Sequence, residues 1–367
     1  MEVKIPLARP DIGPRERAAV AAVLRTPFLS LGPKVREFEA ALAARLGAGH
    51  AIAVSSGTAA LHLAVRALGL GPGDEVVTSP FSFVASANCI LMEGARPVFA
   101  DIDDATLNVD PAAMAAAVTR RTRALLPVDA FGLAYDARAV NRIARREGLA
   151  VIEDSCEALG ATWHGRAAGT LADVGAFGFY PNKQITTGEG GMLVTRSARI
   201  AALARSMRNQ GRDRASWLVH HRLGWNYRLD EMSAALGLAQ LSRLDELLAR
   251  RRRVAGWYAE ALAGTTGVRL LDCPTGCERS WFVYVVRLAG ARARAAVERT
   301  LAQAGIATAR YFPPIHLARH FRALGWRHGQ FPVAERASRE CLALPFHGRM
   351  RAAEVERVAG TVQRALR

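Results

Sequence analysis

Short apolar runs alternate with amphipathic stretches over the first half of the chain. His50–Val54, Glu75–Thr78, Arg96–Ala100, Ala124–Val128 and Leu149–Ile152 read as strands. Between them, Leu61, Val65 and Leu68 fall on one helical face, Phe81–Met92 is helical after its first few residues, and Asp136–Glu147 reads as a helix. Two amphipathic helices, Arg15–Leu24 and Lys34–Leu46, precede the first strand. Continuous apolar strands joined by helical linkers predict a mostly parallel sheet covered on both faces, with functional groups at the carboxyl ends of the strands. Val174–Phe179 and Met192–Thr195 flank a Gly188–Gly191 turn and predict a hairpin. Leu229–Leu262 reads as one long helix, straight or kinked, leading out of a large domain of residues 1–240. A smaller α/β domain, 241–367, follows. In it Trp281–Leu288 alternates like a half-buried strand, and Ala291–Ala304 and Ala352–Leu366 read as helices.

Composition changes this picture little. The chain has 367 residues, half of them hydrophobic, enough for a large core. It has no apolar run of membrane-spanning length, and Met1–Leu7 lacks the pattern of a signal peptide, so a cytoplasmic protein without membrane partners is expected. Five scattered cysteines are expected to be reduced; Cys273 and Cys277 lack the partners of a zinc site. A net charge of +16 admits nucleic acid, but the arginines are spread along the chain and no helix-turn-helix stands out. The densest run, Arg250–Arg253, reads as a solvated helix face.

One basic residue does change the picture. Of 49 Lys and Arg residues, only Lys4, Lys34 and Lys183 are lysine. Lys183 sits in the glycine-rich stretch Phe177–Gly191. Arginine stays protonated and cannot form a Schiff base, whereas a desolvated lysine amine can. The other reading is an ordinary loop lysine. Ser55–Thr58 joins a strand to a helix, a turn that suits a phosphate or simply caps the helix. Asp154 follows a buried strand, where an acid needs a cation. Asp101, Asp103 and Asp104 suggest strand-end and capping roles rather than a metal. Pyridoxal 5'-phosphate needs a phosphate site, a carboxylate for its ring nitrogen and an amine for its aldehyde. The Ser56–Thr58 turn, Asp154 and Lys183 would supply the three.

The chain resembles the DegT/DnrJ/EryC1/StrS family of sugar aminotransferases, a branch of the fold-type I pyridoxal-phosphate enzymes. The likeness runs from Ser30–Pro33 through Ser56–His62, Gly71–Glu75, Glu153–Asp154, Pro181–Gly191 and Asn226–Leu229 to Tyr311–His316. It implies an α/β fold with a seven-stranded sheet. It further implies that Lys183 holds the cofactor, Asp154 meets the ring nitrogen, and the backbone of Gly57 and Thr58 binds the phosphate. By the same likeness Phe83 stacks on the cofactor, although it also reads as a core phenylalanine. Asn226 would reach the phosphate of a partner subunit, which requires a homodimer. Tyr311 and His316 would line the substrate pocket; His316 and His320, four apart, lack an acidic third ligand for a metal. Glu157 stands where many members have Gln or His beside the cofactor's phenolic oxygen, and Gly178 where many have a phosphate-binding serine. A family branch with histidine in place of the lysine performs dehydration, and Lys183 argues against it. The implied reaction moves an amino group from L-glutamate to a nucleotide-linked keto sugar, such as a 4-keto-6-deoxyhexose. The alternatives are another carbonyl acceptor, such as a keto-cyclitol, and a DNA-binding regulator.

Overall fold

The strands expected from short apolar runs all form, and their directions bring the Gly57–Thr58 turn, Asp154 and Lys183 to one edge. The computed structural model describes residues 4–213 and 218–367. One sheet contains β1 (His50–Val54), β2 (Glu75–Thr78), β3 (Arg96–Phe99), β4 (Thr122–Leu126), β5 (Ala150–Asp154), β6 (Val174–Gly178) and β7 (Gly191–Thr195). Their order across the sheet is β1-β7-β6-β5-β4-β2-β3. Neighbours from β3 to β6 are parallel, whereas β7 runs antiparallel to both β6 and β1. The expected hairpin is therefore β6–β7. Because β1 and β6 both oppose β7, they share one direction. The carboxyl ends of β1, β5 and β6 all lie on the same edge.

The helix Gly57–Ala67 is buried on every side from Ala59 to Val65, as a helix wedged between a sheet and other helices must be. The outer edge of β1 is blocked by side chains. Arg205 donates to Ala51 O at 3.1 Å, Arg208 to Ala53 O at 2.5 Å, and the Ala53 N–H donates to Glu39 at 3.0 Å. An edge whose backbone groups are already satisfied cannot recruit a foreign strand.

The long helix expected over Leu229–Leu262 is two helices, Glu231–Leu241 and Leu244–Leu262. Ser242 Oγ turns back to Ala239 O at 2.8 Å. Arg243 leaves helical geometry and pairs with buried Glu16 at 2.7 Å and with Glu246 at 3.0 Å. The break sets Arg243 against the N-terminal helix.

A second, antiparallel sheet contains β8 (Val268–Leu270), β9 (Tyr284–Leu288) and β10 (Cys341–Leu344), in that order. The segment read as half-buried is buried throughout β9. Tyr284 and Val286 pack with Tyr258 and Val358, while Val283 and Val285 pack with Phe81 and Phe131 from the loops of the large sheet. The acidic cluster does cap and pair. Asp101 accepts the N–H groups of Val333 and Ala334 at the start of the helix Pro332–Glu340. Asp103 closes its own turn, and Asp104 meets Arg269, Arg287 and Arg336. Among the described residues no helix is long and apolar enough to cross a membrane.

Candidate active site

β5 delivers Asp154 as its last residue, 4 % exposed. Its Oδ2 accepts the Ser86 hydroxyl at 2.6 Å and its Oδ1 accepts the Cys156 N–H at 3.1 Å. One residue earlier, Glu153 points the other way and is tied to the N–H groups of Gly169 and Leu171. Alternation along the strand sends one acid to the site and the other into the fold.

The phosphate-like turn follows β1. Ser56 caps the helix Gly57–Ala67 by accepting the Ala59 N–H at 3.0 Å. The first turn of a helix has N–H groups without helical acceptors, so Gly57 and Thr58 present theirs at its positive end. A Cβ on Gly57 would stand 2.7 Å from Cys156 Sγ, so only glycine permits this approach. Gly178, at the end of β6, is different. A Cβ there would meet Cys156 Cβ at 3.5 Å, an ordinary contact, so space does not force glycine at that position.

Lys183 rides on the turn after β6, where its N–H donates to Tyr180 O at 2.9 Å. Its Nζ lies 3.8 Å from Glu157 Oε1 and 4.1 Å above the Phe282 ring. Glu157 Oε2 accepts the Phe131 N–H at 2.9 Å. A strap of four residues, Arg279–Phe282, ties these turns together. Arg279 donates to Phe131 O at 3.1 Å, the Ser280 N–H to Gly132 O at 2.8 Å, and Gln184 to both Glu157 O and Ser280 O. A Cβ on Gly132, at φ 77°, would fall 1.7 Å from Ser280 O, so the strap needs glycine there.

Burial raises the Glu157 carboxyl from its ordinary 4.5 to about 7; the Lys183 amine and the Phe131 N–H oppose the shift, and Asp154 adds to it. Below about pH 4.5 this group is neutral in folded and unfolded chains alike. Above about 7 it is charged in both, and the folded state bears the desolvation. Its contribution to stability is therefore lost as pH rises through that window, by up to about 3 kcal/mol. Glu157→Gln removes the titration. The melting temperature of cofactor-free Glu157→Gln should gain on wild type between about pH 5 and pH 8. A constant difference would show that Glu157 does not titrate there. Asp129 and Glu153 are also raised by burial, but equally in both proteins, so they cancel.

Tyr311 joins this group, its ring 6.3 Å from Phe282 and 6.4 Å from Phe131. Phe83 is 62 % exposed, which excludes the core reading; Phe81 is the buried ring. Asn226 is exposed, between Trp225 and Tyr227. Tyr227 O receives the Ser55 N–H at 2.9 Å, and the Tyr227 hydroxyl meets His62 Nδ1 at 3.0 Å. His316 stands apart. It is fully buried, bonded to Glu335 at 3.1 Å and packed on Phe331. His320 binds Asn88 and does not pair with it.

The sequence reading of Arg250–Arg253 needs correction at one position. Arg252 and Arg253 are exposed, but Arg251 is 6 % exposed and donates to Asn182 O and Lys183 O. The signal was present in spacing: Leu244, Leu247, Arg251, Val254 and Tyr258 form one buried helical stripe. Phe282 and Ser86 were also missed, since nothing local marks them. A cavity of about 930 Å³ lies elsewhere, beside the β1 edge, with Arg36, Arg208 and Arg228 among its lining but neither Lys183 nor Asp154.

These groups fit pyridoxal phosphate: a glycine-tight helix N-terminus, a held carboxylate and a lysine amine at one sheet edge. The DegT/DnrJ/EryC1/StrS aminotransferase family matches residues 10–363. GDP-perosamine synthase of Caulobacter vibrioides is 40 % identical over 370 residues, covering 99 % of this chain and 98 % of that one. Spore coat polysaccharide biosynthesis protein SpsC of Bacillus subtilis is 38 % identical over 374 residues, covering 98 % and 96 %. The sugar aminotransferase Spr1654 of Streptococcus pneumoniae, described in its solved structure as putative and in its PLP form, superposes with a TM-score of 0.94 at 27 % identity, covering 99 % and 98 %.

Proposed function

The chain belongs to the DegT/DnrJ/EryC1/StrS aminotransferase family and is a pyridoxal-phosphate-dependent aminotransferase; from that premise we propose that it aminates a nucleotide-linked keto sugar, with L-glutamate as donor. The observation that carries this reading is the convergence of Lys183, Asp154 and the Gly57–Thr58 turn at one sheet edge. Relatives named for GDP-perosamine and spore coat polysaccharide support a sugar acceptor, and we favour a 4-keto-6-deoxyhexose.

When bound, the cofactor supplies an electron-accepting ring for the amino group's carbon. Lys183 Nζ would hold the cofactor, and the same amine, when free, would take the proton from the α-carbon of glutamate, a role typically worth about 10²–10⁴-fold. Asp154, fixed by Ser86 and Cys156, would face the ring nitrogen. The Gly57 and Thr58 N–H groups would hold the phosphate. Glu157, whose carboxyl burial raises to about 7, would stand beside the phenolic oxygen, where a protonated carboxyl donates and a carboxylate would repel. Phe83, exposed at 62 %, is free to cover the ring face, and Tyr311 borders the acceptor. His316, buried against Glu335, is left out of the substrate contacts.

The test supplies the enzyme with labelled glutamate and a panel of keto-sugar nucleotides, and identifies the aminated product by mass and NMR. Transfer to a keto-cyclitol alone would replace the substrate reading. DNA binding that weakens with salt, without cofactor binding, would replace the enzyme reading.

We place the protein in the cytoplasm as a homodimer in which Asn226 serves the partner's phosphate site. Its exposure leaves the side chain open to a second subunit, which supports this. Lys183→Ala and Asn226→Ala proteins, each weak alone at limiting cofactor, should on subunit exchange regain roughly a quarter of wild-type activity, since half the dimers are mixed and each has one complete site. No regain would mean that Asn226 acts within its own subunit.

A further inference from the structure

Arg251 is a buried cation whose hydrogen bonds all go to carbonyl oxygens. One arm of the guanidinium, Nη2, donates to Asn182 O at 3.2 Å and Lys183 O at 2.6 Å. The other, Nη1, donates to Trp281 O at 3.4 Å and Phe282 O at 3.2 Å. Burying a guanidinium without a bonded carboxylate is costly, and a residue needed only for volume would be leucine or methionine. Burial lowers its pKa to about 10, so it remains charged at neutral pH.

The two pairs of carbonyls belong to the two segments that determine where the Lys183 amine sits. The first pair is the backbone root of Lys183. The second is the root of Phe282, whose ring lies 4.1 Å beneath Nζ. We propose that Arg251 is a positioning residue for the Lys183 amine, locking the lysine turn and its aromatic floor into one unit. A planar fork of five donors can span both pairs; an ammonium is a single point and cannot. The positioning matters because a misplacement of about 1 Å between reacting groups can cost about 10²-fold in rate. Glu157, 3.8 Å from Nζ, then completes the set of contacts around the amine.

The inference rests on Lys183 as the cofactor-bearing amine. Arg251→Lys, Arg251→Gln, Phe282→Leu and the Arg251→Gln/Phe282→Leu double variant are prepared in the full chain. Three quantities are read: the melting temperature of the cofactor-free protein, the rate at which Lys183 captures added pyridoxal phosphate, and kcat and KM for glutamate. Capture is scored as pyridoxyl-Lys183 after borohydride, by peptide mass. Both Arg251 variants are expected to fold. Their capture rate and kcat should fall about 10–100-fold, with KM changed by less than about threefold. The double variant should lose less than the product of the two single losses, because part of the Arg251 effect reaches Nζ through the placement of the Phe282 ring. Capture and kcat within about twofold of wild type, or additive losses in the double variant, would overturn the proposal. So would the failure of both Arg251 variants to accumulate as folded protein, which would assign the arginine to the fold at large. If wild-type Lys183 captures no cofactor, the reading of Lys183 falls, and this proposal with it.

Discussion

Lys183→Arg is expected to abolish amino transfer, lowering single-turnover release of 2-oxoglutarate from glutamate by about 10⁴-fold. Arginine keeps what electrostatics alone would require. It keeps the positive charge near Glu157 and can lie over the Phe282 ring, the two contacts seen at 3.8 and 4.1 Å. It loses the chemistry. A guanidinium does not deprotonate in a protein, so it can neither bond covalently to an aldehyde nor take up a proton from carbon. The substitution therefore separates charge from nucleophilicity at nearly constant volume. Borohydride should leave no pyridoxyl group on residue 183. Turnover by the variant within about tenfold of wild type would show that Lys183 is an ordinary loop lysine, whatever its surroundings.

Asp154→Asn should be the next most damaging change, at about 10²–10³-fold, the typical cost of removing one preorganised electrostatic partner. The carboxamide has nearly the shape of the carboxylate. Its oxygen can still accept the Cys156 N–H, and its amide can donate to Ser86 Oγ, which then turns to accept. The fold should survive, and glutamate should still bind. What would be lost is the negative charge proposed to face the ring nitrogen, and with it the ring's capacity to accept electrons. The readout is exchange of the glutamate α-proton with deuterated water, compared with the KM for glutamate. A large loss of exchange at nearly constant KM is the expected pattern. Unchanged exchange would remove Asp154 from the site, and an unfolded variant would make it a structural acid.

Much of the fold was legible because its signals are local. The His50–Val54 strand formed with the expected limits, and Gly188–Gly191 ends the β6–β7 connection of the predicted hairpin, with Gly191 already paired in β7. The errors came where partners lie far away in sequence. Apolar periodicity through Ser242 and Arg243 looks helical, but Arg243 meets Glu16, more than two hundred residues earlier. Alternation over Trp281–Leu288 suggested a wet face, yet Phe81 and Phe131 from the other sheet's loops cover it. Phe81 and Phe83 cannot be told apart by composition; one is fully buried and the other 62 % exposed.

The sequence by itself determined the alternation of strands and helices, the rarity of Lys183 among arginines, and the acid and glycine turn that accompany it. Those features depend on side-chain type and short-range spacing. Only the tertiary structure decided which charges are solvated and which are buried. Arg251 and Arg252 are neighbours of the same type, but the rotation of one helix places Arg251 beneath Lys183 and Arg252 in water. Glu157 acquires its raised pKa, and Lys183 its aromatic floor, from segments that meet only when the second sheet packs on the first.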